Sequence, residues 1–390
     1  MSELFGPILG AAPISAVTGD RAWLRAICRV EQALAAACAQ AGLFDASTAE
    51  LIAAGCAEVG DLDPAGIGLA AVADGNPVIP VLARLRTSIA AQPATGAAQA
   101  ARSVHLGATS QDVLDTAAML ISAAAIEATL AELTVAVAAT ARLAASHRDT
   151  AMIGRTLMQQ AAPTTFGALA LSWTAGLDRA VQRLQNLRQD GLAVQFGGAV
   201  GTLADLHPDG LRVRALLAAD LGLADPGLAW HAERSRIVEL GAGLAQAAAA
   251  AGTVATDIVL LAQTELGELA ERSGGGSSAM PHKHNPIAAI SARAASLQAP
   301  GLLATLCTAA SGQELQRAAG GWHAEWLALI RLFEAAGGAA GRLASSVTGL
   351  VVGTDRMRAN LAAFRTAVGE PAGFGHAGEQ IDNYLKGRHE

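Results

Sequence analysis

The sequence predicts an all-α protein built on a bundle of very long helices. Three observations carry that expectation. Apolar residues make up 52% of the 390 residues and aromatics only 3%, so the hydrophobic content is mostly Ala, Leu and Val; alanine is the best helix former and lets helices approach closely. Between Gly107 and Gly154 there is neither glycine nor proline, room for one helix of about forty residues, or about 60 Å. No strand signal exceeds a few residues, and no internal repeat is visible.

Residues 1–103 read as a first region of shorter helices broken by turns. Thr18-Gly-Asp20 precedes a helix from about Arg21 to Ala41, which Gly42 ends; Asp45 to Ser47 start another. Asp61-Leu-Asp-Pro64 and Asp74-Gly-Asn-Pro77 read as turns, and Arg86 to Ala101 as part helix, part loop around Pro93. Residues 104–350 form the central bundle. Its first helix follows Thr109 or Ser110 as cap, with Asp112 and Asp115 suited to the positive end of the dipole. Further helices are expected at about Thr165–Asp190, Pro208–Leu221, Leu228–Arg272, Pro286–Gln298 and Leu302–Leu350, with GRTLMQQAAPTT and QFGGAVGTLADLHPDG as loops. Residues 351–390 form a small third region, with a Gly/Pro-bearing loop at Gly369–Gly378 and a short helix at Glu379–Lys386.

Composition excludes several function classes. The formal charge is −7 and no polybasic run exists, which argues against a nucleic-acid partner. Cys28, Cys38, Cys56 and Cys307 are scattered without a C-x-x-C pair, as expected of a reduced, cytoplasmic protein with no cysteine-based metal site. The N-terminal stretch lacks the basic and apolar segments of a signal peptide. Leu240–Thr256, the longest uncharged helical run, is short for a membrane span and reads as a buried bundle helix.

One stretch resists a helical reading. Ser273 to Ile287, SGGGSSAMPHKHNPI, packs three glycines and two prolines between Ala/Leu-rich flanks, so it is a loop, with Asn285 as N-cap and Pro286 as first residue of the next helix. It resembles the signature loop of the fumarase/aspartase superfamily, Gly-Ser-Ser-x-Met-Pro-x-Lys-x-Asn-Pro, at every fixed position. That superfamily adds and eliminates groups at the carbon next to a carboxylate. The resemblance implies an all-α, three-region fold, Ser277 as general acid or base, Lys283 and Asn285 as carboxylate binders, and Ser278 and Met280 beside the substrate. A serine needs help in such a role, and a nest of backbone N–H groups over Gly274–Ser278 with the Lys283 charge can supply it.

Two other segments resemble the superfamily's remaining signatures. In VHLGATSQDVLDTA, a helix N-terminus with a hydroxyl pair is an anion site, making Thr109 and Ser110 candidate carboxylate binders with His105 and Gln111 nearby. In GRTLMQQAAPTTFG, Thr156 and Gln159 match the usual Thr-His-x-Gln, but Leu157 replaces the histidine that helps the leaving group depart. A second histidine, in a first-region segment of adenylosuccinate lyases, is replaced by Asn76-Pro77-Val78. An amine or hydroxide needs a general acid to leave; a carboxylate, with a reference pKa of about 4, does not. The chain accordingly resembles the superfamily's cycloisomerase branch, which acts on 3-carboxy-cis,cis-muconate, in GNPVIP, GATSQDVLDTA, GRTxxQQ, QFGGAVGTLA, WHAERSRI and GWHAEW.

The expected activity is therefore cofactor-independent lactonisation of 3-carboxy-cis,cis-muconate in protocatechuate catabolism. Arg155 and Arg234 are the cations expected to bind its three carboxylates, since guanidinium pairs with carboxylate bidentately; Arg236 divides evenly between that role and a structural ion pair. His282 and His284 lack nearby acids, and no metal site is expected. Trp322, His323 and Trp326 read as core packing. The resemblance further implies a homotetramer with sites shared between subunits, and the third region is short for the branch. The alternatives are an adenylosuccinate-type lyase and a catalytically silent member with a structural or binding role.

Overall fold

The computed structural model describes residues 4–10, 12–59, 62–272, 275–276, 280, 283–369 and 373–388. The chain opens with α1 (Gly6–Leu9), α2 (Ala12–Thr18), α3 (Asp20–Ala41), α4 (Ala46–Val59), α5 (Pro64–Ala71), α6 (Val78–Ala90) and α7 (Ala97–Ser103). Gly42 adopts the left-handed conformation, φ 87°, that terminates α3. Asp63 caps α5 by accepting from the N–H groups of Ala65 and Gly66, with Pro64 in the first turn.

The centre is α8 (Ser110–Ser146), 37 residues long, or about 55 Å. A hairpin of β1 (Ala151–Thr156) and β2 (Gln159–Thr165) follows, then α9 (Phe166–Asn186), α10 (Gly210–Leu221), α11 (Ser235–Leu261), β3 (Leu269–Glu271), α12 (Ile287–Ser296), α13 (Ala299–Ser311), α14 (Gly321–Thr348), β4 (Leu350–Val352), α15 (Thr354–Val368) and α16 (Ala377–Gly387). Helices α8, α9, α11, α12 and α14 pack on one another as the bundle, and α3 packs against α8. By length and composition α8 and α11 could each cross a bilayer, yet half of each apolar window is buried within the fold, in keeping with bundle helices.

Four expectations need correction. The helix expected over Leu228–Arg272 is confined to Ser235–Leu261. Before it, Trp230 donates its backbone N–H to Gln195 Oε1 and its indole N–H to Val194 O, bonds a helix would break; after it, Gly267 turns the chain at φ 60°. The span Leu302–Leu350 is two helices, not one, because the chain reverses between Ser311 and Gly321 through Leu315 and Gly320, both at positive φ. GRTLMQQAAPTT is a hairpin rather than a loop: β1 and β2 pair antiparallel with a register shift at Gly154/Arg155, and Leu157 and Met158 turn it at φ 50° and 64°. Finally α12 starts at Ile287, one residue later than expected, since Asn285 pairs both backbone groups with Gly275.

The start of α12 is capped from a distance. Glu271 accepts from the N–H groups of Ala288 and Ala289 at 3.0 and 2.8 Å and from Ser346 Oγ at 2.5 Å, which satisfies orphan donors of the helix and places a carboxylate at its positive end. Glu271→Ala is expected to lower unfolding free energy by about 2 kcal/mol in urea denaturation; an unchanged midpoint would mean that water replaces the cap.

Candidate active site

The N-terminus of α8 is held by a carboxylate hub. Asp112 accepts from the N–H groups of Thr109, Gly197 and Gly198 at 2.9–3.0 Å and hydrogen-bonds His231 Nε2 at 2.7 Å. It is almost wholly buried, as is His231. One side chain thus joins the first signature, the 195–198 segment and the 230–234 segment. Thr109 and Ser110 remain half-buried at the helix end. Asp112 stands in the first turn of α8 and closes a capping box with Thr109, in keeping with the positive end of the dipole, and both Asp112 and Asp115 are also buried hubs.

Asp115 gathers Arg234 Nη1 and Nη2 at 2.7 and 3.1 Å, Trp322 Nε1 at 2.9 Å and Gln111 Nε2 at 3.2 Å. Arg234 also donates Nε to Glu325 Oε1 at 3.0 Å, and its guanidinium lies 4.9 Å from the Trp230 ring. Burial works against the Arg234 charge, yet the two carboxylates hold its pKa above the ordinary value; burial pushes Glu325 up against the opposing pull of Arg234. Gln111 also donates to His231 O at 2.9 Å. Arg234 and Gln111, both expected at the substrate, are turned inward and hold the bundle end together. A cavity of about 320 Å³ has this triad in its wall, but its lining is apolar and its carboxylates, Asp20, Asp115 and Glu325, outnumber Arg234, which does not suit a polyanion.

Arg155 is likewise occupied. It sits at the register shift of the hairpin and forks onto Glu268 at 2.8 and 2.9 Å, while Asn360 of α15 donates to the same carboxylate at 2.7 Å. Glu268 has no exposed side-chain surface. In this chain, then, neither arginine expected to meet a substrate presents a free fork. Arg236 donates to Gly191 O, and burial lowers its pKa. Thr156 and Gln159 face each other beside the hairpin turn and are exposed, with Leu157 at 96% exposure between them.

In the third signature, Gly275 and Asn285 exchange backbone hydrogen bonds at 3.0 Å, closing the loop at its base, and Lys283 N–H donates to Met280 O. Lys283 and Met280 are exposed. Ser277 and Ser278 lie outside the described residues. His105 is met by a partner that sequence reading missed: its Nδ1 lies 2.6 Å from Glu31 Oε1. Glu31, Glu268 and Glu271 carry no local pattern that marks them, and Glu325, although within GWHAEW, has a partner that only the fold reveals. Among the described residues no cluster of His, Cys, Asp and Glu could hold a metal ion.

Helix length separates these parts. Asp115 meets Trp322 at the start of α14, whereas Glu271, just before the third signature, meets Ser346 near its end; those 24 residues of α14 span about 36 Å. The hairpin follows the far end of α8, and a six-residue strand reaches back only about 20 Å. The second and third signatures therefore root at one end of the bundle, joined through Arg155 and Glu268, and the first at the other.

The two kinds of cation respond differently to removal. Arg234→Ala strands two buried carboxylates and is expected to cost about 3–5 kcal/mol, whereas Lys283→Ala at an exposed position stays within about 0.5 kcal/mol; urea unfolding of the two variants side by side reads the contrast, and equal losses would contradict it.

Comparison with known proteins fits this architecture. A family model described as "Lyase" matches residues 11–301. The chain is 44% identical over 364 residues to a 3-carboxy-cis,cis-muconate cycloisomerase of Bradyrhizobium diazoefficiens, covering 93% of this chain and 79% of that protein. It is 40% identical over 373 residues to a nitrosuccinate lyase of Streptomyces davaonensis, covering 92% and 77%. The crystal structure of a 3-carboxy-cis,cis-muconate lactonizing enzyme from Pseudomonas putida superposes with a TM-score of 0.87 at 37% identity, covering 99% of this chain and 87% of that one. With this fold and the signature loop both present, the chain belongs to this lyase family, within the fumarase/aspartase superfamily.

Proposed function

We propose that the protein is a cycloisomerase that closes 3-carboxy-cis,cis-muconate to 4-carboxymuconolactone in protocatechuate catabolism. The observation that carries this reading is Leu157: an aliphatic side chain stands between Thr156 and Gln159, where a leaving group needing a proton would require an acid. In the lactonising direction Ser277 gives its proton to the carbon next to one carboxylate, and a second carboxylate of the same molecule attacks the far carbon of that double bond. The Ser277 O–H bond and one C=C π bond are lost as one C–H and one C–O bond form; the trianion plus one proton becomes a lactone dianion, and Ser277 regains its proton from solvent. Lys283, Asn285 and the α8 N-terminus at Thr109 and Ser110 stabilise the dianionic transition state; His105, Thr156, Gln159, Ser278 and Met280 complete the pocket. Arg155 and Arg234 act from behind it, as struts.

A second reading has a specific support. Nitrosuccinate, named for the Streptomyces relative, carries a nitro group that would also depart as a stable anion, so Leu157 suits it equally. The cycloisomerase names recur among the similar proteins and solved structures, which favours the dienoate.

The separation of the signatures supports a site assembled between copies, and we place it in a cytoplasmic homotetramer in which regions 1–103, 104–350 and 351–390 act as successive domains. The buried, unpaired Cys28, Cys38 and Cys56 accord with a reducing compartment. Purified protein mixed with the dienoate should abolish its ultraviolet absorbance as conjugation is lost, and Ser277→Ala should slow this by about 10³-fold or more. Release of nitrite from nitrosuccinate with no loss of dienoate absorbance would overturn the cycloisomerase reading.

A further inference from the structure

Glu31 lies in the middle of α3, outside every signature segment, and only 1% of its side chain is exposed. Its Oε1 is 2.6 Å from Nδ1 of His105, while its Oε2 has no hydrogen-bond partner among the described residues. An isolated buried carboxylate is costly, and it persists where a charged or donating partner compensates. His105 itself stands at φ 70°, a conformation that non-glycine residues keep only where their surroundings over-determine it. It is two residues before Gly107, also at φ 70°, and four before Thr109, so its ring is fixed beside the anion-binding end of α8.

We infer that Glu31 is the positioning residue of the site: it fixes His105 with its proton on Nδ1, so that Nε2 is the bare ring nitrogen, left to accept a hydrogen bond beside the α8 N-terminus. A carboxylate only accepts, so the 2.6 Å contact requires hydrogen on Nδ1. Free imidazole prefers the opposite tautomer, which would leave the wrong nitrogen open. Three thiols among the described residues also feel the Glu31 charge: Cys28 and Cys38 of α3 and Cys56 of α4. Burial and the Glu31 charge push Cys38 up to about 12; hydrogen bonding between Cys56 and Cys28 raises the former and lowers the latter.

The kinetic arm of the test rests on the activity proposed above; the spectroscopic arm does not. Glu31→Met removes the acceptor at nearly constant volume and should raise KM for the tricarboxylate about tenfold with kcat within about threefold. Glu31→Gln, whose amide oxygen can still accept from Nδ1, should recover most of that loss. In a His105→Gln background neither change should alter KM further, since Glu31 acts through the ring. Equal KM effects with and without His105 would overturn the inference. If the wild-type protein leaves the dienoate untouched, the activity reading falls, and ring ¹⁵N spectra decide the inference instead. The His105 signal, identified by its loss in His105→Gln, should report Nδ1–H in the wild type and Nε2–H in Glu31→Met; the same tautomer in both would refute it. Should Glu31→Met fail to fold, the test passes to the spectroscopic arm. The ¹⁵N spectrum of the wild type then reads the tautomer, and Nε2–H there would refute the inference.

Discussion

The length of α8 constrains everything else. A 37-residue helix puts its hydroxyl-bearing N-terminus and the hairpin that follows its C-terminus farther apart than any small substrate can bridge. The neighbouring α11 and α14 share the constraint, since the carboxylates that organise the first and third signatures meet opposite ends of α14. On the proposed reading, a single chain builds each part of the site without bringing the parts together. Half of the apolar window of α8 and of α11 is not buried within the chain, which fits the same picture, because helices this rich in alanine gain most from close packing against further helices.

Within the chain, fixed charges hold each part rigid. Asp112 and Asp115 are one helical turn apart on α8 and share no donor: one gathers the turns at 109 and 197–198, the other Arg234, Trp322 and Gln111. Arg155 and Glu268 do the same for the hairpin, with Asn360 tying in α15. These pairs are buried, where a missing partner is far more costly than at the surface. Arg155 and Arg234, beside signature residues, are thus held by protein carboxylates, whereas Lys283 is exposed.

The bundle was legible in the sequence because its signals are local and strong: a long stretch without Gly or Pro, a Thr-Ser start, Gly42 after an amphipathic run. The helix breaks near 228–234 and 312–320 were not, because distant partners such as Gln195 and Val194 decide them. The hairpin was hidden for another reason. Leu157 and Met158 take positive φ without being turn-forming residues, so only tertiary context reveals the reversal. The candidate-site motifs were named from their resemblance to the superfamily's signatures, whereas Glu31, Glu268 and Glu325 act through partners between 74 and 113 positions away, which only the fold brings to them.

Sharing of the site between copies is open to a direct measurement. Ser110→Ala and Ser277→Ala chains, each inactive alone, can be co-expressed with different tags and the mixed assemblies isolated. If the α8 N-terminus of one copy meets the signature loop of another, some sites in those assemblies carry both serines, and dienoate turnover returns. Correctly assembled mixtures without any recovered turnover would show that each chain builds its site alone, which would contradict a site divided between the two ends of the bundle.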